Sequence, residues 1–109
     1  MKDLDNLPVA CSLTTAELRD REAKLLAQFR SRVIKTTELQ DGYAFHVPGD
    51  AGGIRLVAEL IVAERECCPF LTFELAAEPN KGPMIVRMTG PNGTQEFLRT
   101  ILGKAGDPA

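Results

Sequence analysis

The residues of this chain with the most chemistry in them are three cysteines, Cys11, Cys67 and Cys68. Two of them are adjacent in Ala63-Glu64-Arg65-Glu66-Cys67-Cys68-Pro69-Phe70, at the end of an apolar helical pattern. Glu64 precedes them by three and four residues, which sets its carboxylate on the same helix face as the thiols. It also follows Leu60 by four, so it lies on the apolar side, where an unpartnered carboxylate is costly. Such a carboxylate needs a cation, a hydrogen-bond donor, a metal or an opening to solvent. Two thiolates beside a carboxylate suit a thiophilic ion, whereas a set of carboxylates alone would suit calcium or magnesium. If Cys11 approaches the pair, three sulfurs converge, a natural host for Hg(II), As(III) or Cu(I). With His46 as a fourth donor the set would match tetrahedral zinc. The candidate metal ligands are therefore Cys11, Cys67, Cys68 and Glu64, the last as a ligand or as a base behind the ligands.

Packing is the competing explanation. Cys67 and Cys68 lie seven residues after Leu60 and Ile61, so both extend the buried stripe, and cysteine serves well as a small buried hydrophobe. Adjacent side chains on a regular helix also diverge by about 100° around its axis, too far to share one ion. Pro69 changes that geometry, because its ring disfavours the helical region at Cys68 and lets the second sulfur swing away. The C-terminal end of a helix raises a thiol pKa, which opposes a catalytic cysteine, whereas a bound metal overcomes that penalty. No catalytic or cofactor-binding residue is assigned. The single histidine, His46, points away from the face of Tyr43, Phe45 and Val47 by strand alternation and reads as a surface residue. A vicinal Cys67–Cys68 disulfide would be a strained redox switch.

The elements that must position these groups follow from periodicity. Thr14-Thr15-Ala16-Glu17 fits a capping box with Thr14 as the cap, and Leu18, Glu22, Leu25, Leu26 and Phe29 then fall on one face of a helix over roughly 15–31. Val33–Leu39 and Tyr43–Val47 read as two strands joined at Asp41-Gly42. A second helix runs from about Gly53, through Leu56, Val57, Leu60 and Ile61, to near Cys67. Leu71–Leu75 and Met84–Met88 form a second hairpin around Pro79-Asn80-Lys81-Gly82-Pro83. A last helix carries Phe97, Leu98, Ile101 and Leu102 and stops at Gly103 and Gly106.

A shift of 41 residues lays Tyr43, Phe45 and Val47 on Met84, Val86 and Met88, Gly49 on Gly90, and Gly52 on Gly93. The same shift lays Leu56, Val57, Leu60 and Ile61 on Phe97, Leu98, Ile101 and Leu102. The expected fold is α+β: an N-terminal helix, then two hairpin-helix units, giving a four-stranded antiparallel sheet with helices on one face. The other face is left wet or is covered by a second copy, so a homodimer through the open sheet face is an expected partner. The whole chain, 1–109, reads as a single domain with an ordered core of about 10–103.

Composition narrows the function classes. With 44% hydrophobic and 26% charged residues and a net charge of -2, the chain has the make-up of a globular domain. Thirteen Lys and Arg are scattered among fifteen Asp and Glu, so no basic footprint points to nucleic acid. Acidic residues and a proline interrupt the first residues, and no window has the length of a membrane span, so a cytoplasmic location is expected. In that reducing compartment three cysteines read as free thiols, metal ligands or redox groups rather than as a disulfide framework.

Ala10-Cys11-Ser12-Leu13, Asp41-Gly42-Tyr43-Ala44-Phe45 and Glu64-Arg65-Glu66-Cys67-Cys68-Pro69-Phe70 together resemble a family of small, largely uncharacterised bacterial proteins. The likeness spans nearly the full domain and implies an association with heavy-metal handling. The expected function is binding of a thiophilic ion of the Hg, As, Zn or Cu class through a three-cysteine site, in metal handling or sensing. Two alternatives come from other classes: a non-enzymatic dimerisation or interaction module with structural cysteines, and a thiol redox sensor.

Overall fold

A computed structural model of the chain describes Val9 and residues 15–102. The elements run α1 (Ala16–Arg32), β1 (Lys35–Leu39), β2 (Gly42–Val47), α2 (Ala51–Cys67), β3 (Thr72–Ala77), β4 (Met84–Thr89) and α3 (Thr94–Leu102). This is the expected α+β arrangement of one helix and two hairpin-helix units.

Helix α1 is capped by Thr15, whose extended backbone turns its hydroxyl oxygen to accept from the Leu18 amide at 3.1 Å. The cap thus lies one residue beyond the Thr14 of the capping-box reading. A threonine at either position has the right side chain, and Thr15 carries the extended backbone of the cap. Helix α2 begins at Ala51, two residues before the expected Gly53, because Asp50 accepts from the Gly53 amide at 2.7 Å and so caps a helix that already includes both glycines. Arg32, the last residue of α1, also reaches Asp50 at 3.4 Å. That contact joins the end of one helix to the start of the next. The expected stop of α3 at Gly103 lies outside the described residues.

The four strands form one antiparallel sheet in the order β1-β2-β4-β3. In its central ladder Tyr43 faces Met88, Phe45 faces Val86 and Val47 faces Met84. The 41-residue shift carries this set of pairs onto itself, so the internal repeat corresponds to a local two-fold relation about the Phe45–Val86 pair. Phe45, Val47, Met84, Val86 and Met88 point to the side where the helices lie, and they pack with Phe29 of α1, Leu60 of α2 and Leu98 of α3 in one core. The Phe29 and Phe45 rings meet edge to face at 5.5 Å, the favoured aromatic geometry. The opposite face carries cross-strand rows such as Thr37, Ala44, Arg87 and Glu74. His46 belongs to this face, between Lys35 and Ile85. No helix among the described residues is long and apolar enough to cross a membrane.

The first hairpin departs from the expected turn. Gln40 and Asp41 form the two-residue connection, and Gly42 is already in β2, paired with Leu39. Gly42 is not needed for a positive φ. It is needed for space: a Cβ there would stand 1.9 Å from the Met88 carbonyl oxygen. Gly42→Ala therefore forces apart the two central strands, and denaturant unfolding should show a loss of about 1–3 kcal/mol, the usual size of an overpacking penalty.

Candidate metal centre

Helix α2 buries Leu56, Val57 and Leu60, and the next positions on that face are Glu64 and Cys67. The helix ends at Cys67, as expected, just before Pro69. Cys68 is its C-cap, with φ -125° and ψ 71°, so the residue has left helical geometry. Its amide still donates to the Glu64 carbonyl at 2.6 Å, which holds the exit turn close to the helix. The side chain turns back, and the Cys68 thiol donates to Glu64 Oε1 at 3.2 Å. One proline thereby converts two diverging neighbours into a converging set: the Sγ atoms of Cys67 and Cys68 and a carboxylate oxygen of Glu64 all lie within 4.8 Å of one another.

These groups are sealed from water. Glu64 is 1% exposed, Cys67 1% and Cys68 0%. Phe70 packs on the cysteines, and Phe97 of α3 meets its ring edge to face at 5.1 Å. On the other side, Ile61, Arg65, Cys68, Pro69, Leu71, Thr72 and Phe73 line a surface pocket of about 480 Å³. Cys68 is thus buried yet contributes to the wall of a depression in the surface.

The four residues expected from sequence fare differently. Glu64, Cys67 and Cys68 come together. Cys11 lies outside the described residues. His46, weighed as a fourth donor, sits on the far face of the sheet and outside the cluster, as strand alternation requires. The two cysteines also differ in state: Cys68 is a free thiol, whereas Cys67 is disulfide-bonded. A vicinal Cys67–Cys68 bond is therefore not formed, and among the described cysteines the expectation of a free thiol holds for Cys68 and not for Cys67.

Sequence reasoning missed Glu22 as a member of this neighbourhood. It was recognised only as part of the stripe of α1, yet it is 9% exposed and its carboxyl group lies against that of Glu64. The Oε2 atoms of both residues are buried with no hydrogen-bond partner. A signal for it exists. Leu18, Glu22, Leu25 and Leu26 on α1 have the same spacing as Leu60, Glu64, Cys67 and Cys68 on α2. Each carboxylate follows a leucine by four and precedes an adjacent apolar or sulfur pair by three.

The electrostatics follow from this geometry. Burial, with the Glu22 carboxyl adding a hydrogen bond and like charge, pushes the Glu64 pKa up to about 9, while the Cys68 hydrogen bond works the other way. Burial first, then the charge and hydrogen bond of Glu64, drive the Cys68 thiol upward as well. A protonated carboxyl and a protonated thiol make a poor nucleophilic centre. They make a workable ion site, because a cation supplies the charge that the buried anions lack and displaces their protons. The donors fit a soft or borderline ion: the Cys68 sulfur, the Cys67 sulfur once its disulfide is reduced, and carboxylate oxygens left without partners.

The chain matches no protein-family model, no curated protein and no solved structure.

The raised Glu64 pKa has a measurable consequence in the metal-free protein. The unfolded chain releases this proton in the ordinary carboxylate range, whereas the folded chain holds it until about pH 9. Between those limits the folded state carries the extra proton, so stability is highest at the acid end of the window and falls as pH rises. The slope due to this one group should approach about 1.4 kcal/mol per pH unit. Denaturant midpoints measured across the window should show the decline, and Glu64→Gln should flatten it.

Proposed function

We propose that this chain binds a thiophilic metal ion, of the Hg, As, Zn or Cu class, through Glu64, Cys67 and Cys68, and serves in metal handling or sensing. The observation that supports this is the convergence of two sulfurs and a carboxylate oxygen within 4.8 Å in a water-free setting. Packing alone accounts for buried cysteines, but not for a carboxyl group set among them with an unpartnered oxygen. Cys11 remains part of the proposal as a third sulfur donor. The resemblance noted from the sequence motifs points the same way. The ion would arrive through the pocket beside Arg65 and Cys68. Binding rather than catalysis is favoured because the free thiol is held protonated and no histidine is near it.

The disulfide at Cys67 supports a second reading, in which oxidation controls the site. A disulfide sulfur is a far weaker donor than a thiolate, so Cys67 becomes a full ligand only once reduced. Redox state and metal binding would then be linked through one sulfur.

The reduced protein, titrated with Hg(II) or Zn(II), should take up a stoichiometric ion, and the Cys67→Ser, Cys68→Ser variant should lose it. Unchanged uptake by that double variant overturns the proposal. The oxidised wild type should bind at least about tenfold more weakly than the reduced form, which is the scale of losing one ligand interaction.

A further inference from the structure

We infer that Glu22 is a metal ligand, so that the site is closed across the seam between α1 and α2 by a mixed set of two carboxylates and two thiolates selective for a borderline divalent cation of the zinc class. The inference rests on the metal-binding reading above and narrows it. Three observations carry it. Glu22 is nine-tenths buried, its carboxyl group lies against that of Glu64, and the Oε2 atoms of both are left without partners. Two carboxyl groups held together out of water are costly unless something positive lies between them or near them. The ion pairs Lys24–Asp20 and Arg32–Asp50 include neither Glu22 nor Glu64.

The second strand of reasoning is positional. Glu22 occupies on α1 the place that Glu64 occupies on α2, with Leu25 and Leu26 standing where Cys67 and Cys68 stand. The first helix thus repeats the carboxylate of the site but not its sulfurs. Its neighbouring positions are filled with leucine and build core, so the carboxylate meets Glu64 and keeps one oxygen unpartnered.

The donor count then decides the metal. Hg(II), Cu(I) and As(III) favour sulfur and gain little from carboxylate oxygen, whereas zinc accepts Cys sulfur and Glu oxygen in a tetrahedral set of four. With the Cys67 disulfide reduced, Glu22, Glu64, Cys67 and Cys68 supply four donors from the described residues. Their combined charge equals that of a four-cysteine zinc site, an arrangement that proteins use. Glu22 stands beside the close cluster of the other three and joins it by turning a flexible side chain around the ion. Its approach expels no other partner from its Oε2 atom.

The test uses the full chain, reduced, with Zn(II) and Hg(II) titrated separately in competition with a chromophoric chelator. Glu22→Gln should weaken Zn(II) by at least about tenfold while leaving Hg(II) affinity within a factor of about three. Glu22→Leu, which fills the same space without polar atoms, should give the same split and guards against a misfolded amide variant. Thermal unfolding of the metal-free variants should show both folded and no less stable than the wild type, since a buried charge has been removed. With Co(II) in place of Zn(II), the sulfur-to-metal charge-transfer absorption should persist in Glu22→Gln while the tetrahedral ligand-field bands weaken. Zn(II) affinity unchanged in both Glu22 variants overturns the inference and leaves the thiophilic site standing. So does a wild type that binds Hg(II) but not Zn(II). A wild type that binds neither ion overturns the metal-binding reading, and this inference with it.

Discussion

Two carboxyl groups are held out of water where α1 meets α2, and the arrangement around them answers to that constraint. Desolvation makes their charged forms expensive, so at least one proton must stay or a cation must come. The same burial surrounds Cys67 and Cys68, and the three buried groups of α2 are fixed by a single backbone event, the departure of Cys68 from the helix before Pro69. The large apolar core beneath the helices supplies the rigidity that keeps these groups together. A loose core would let the carboxyl groups reach solvent, and the tension of burying them together would be lost.

That tension also explains why the free thiol is not a reactive one. Reactive cysteines sit in electropositive, partly exposed surroundings. Cys68 sits beside acids in an apolar shell, and its proton is engaged in a bond to Glu64. The environment suppresses nucleophilicity at Cys68 while leaving its sulfur beside the Glu64 carboxyl, a setting that suits ion binding better than catalysis.

Much of this was legible in the residue pattern. The alternation of Tyr43, Phe45 and Val47 and of Met84, Val86 and Met88 assigned their faces correctly, because period-two burial leaves no other choice for a sheet with one covered side. The placement of Glu64 with the cysteines, and the role of Pro69, followed from helix spacing and proline sterics. Sequence could not show which strands would be central, since both hairpins look alike, nor that Gly42 would serve interstrand contact instead of a turn. Glu22 was hidden for a different reason. Its spacing sets it on the apolar stripe of α1, but that stripe does not say which group it meets, and only the packing of α1 on α2 brings it against Glu64. The start of α1 moved by one residue because two adjacent threonines offer the same chemistry.

The self-mapping register of β2 and β4 bears on how the molecule assembles. Each hairpin closes locally, over connections of two residues and of six, Glu78–Pro83. The central ladder, by contrast, joins residues about forty apart, and such contacts form only after a large loop has closed. Folding is then a meeting of two similar halves tethered by α2, as though two small molecules had been fused and kept the interface by which they associated. The tether is the helix that bears Glu64 and Cys67. The segment with the least freedom in that meeting is the one that fixes where Glu64 and Cys67 stand.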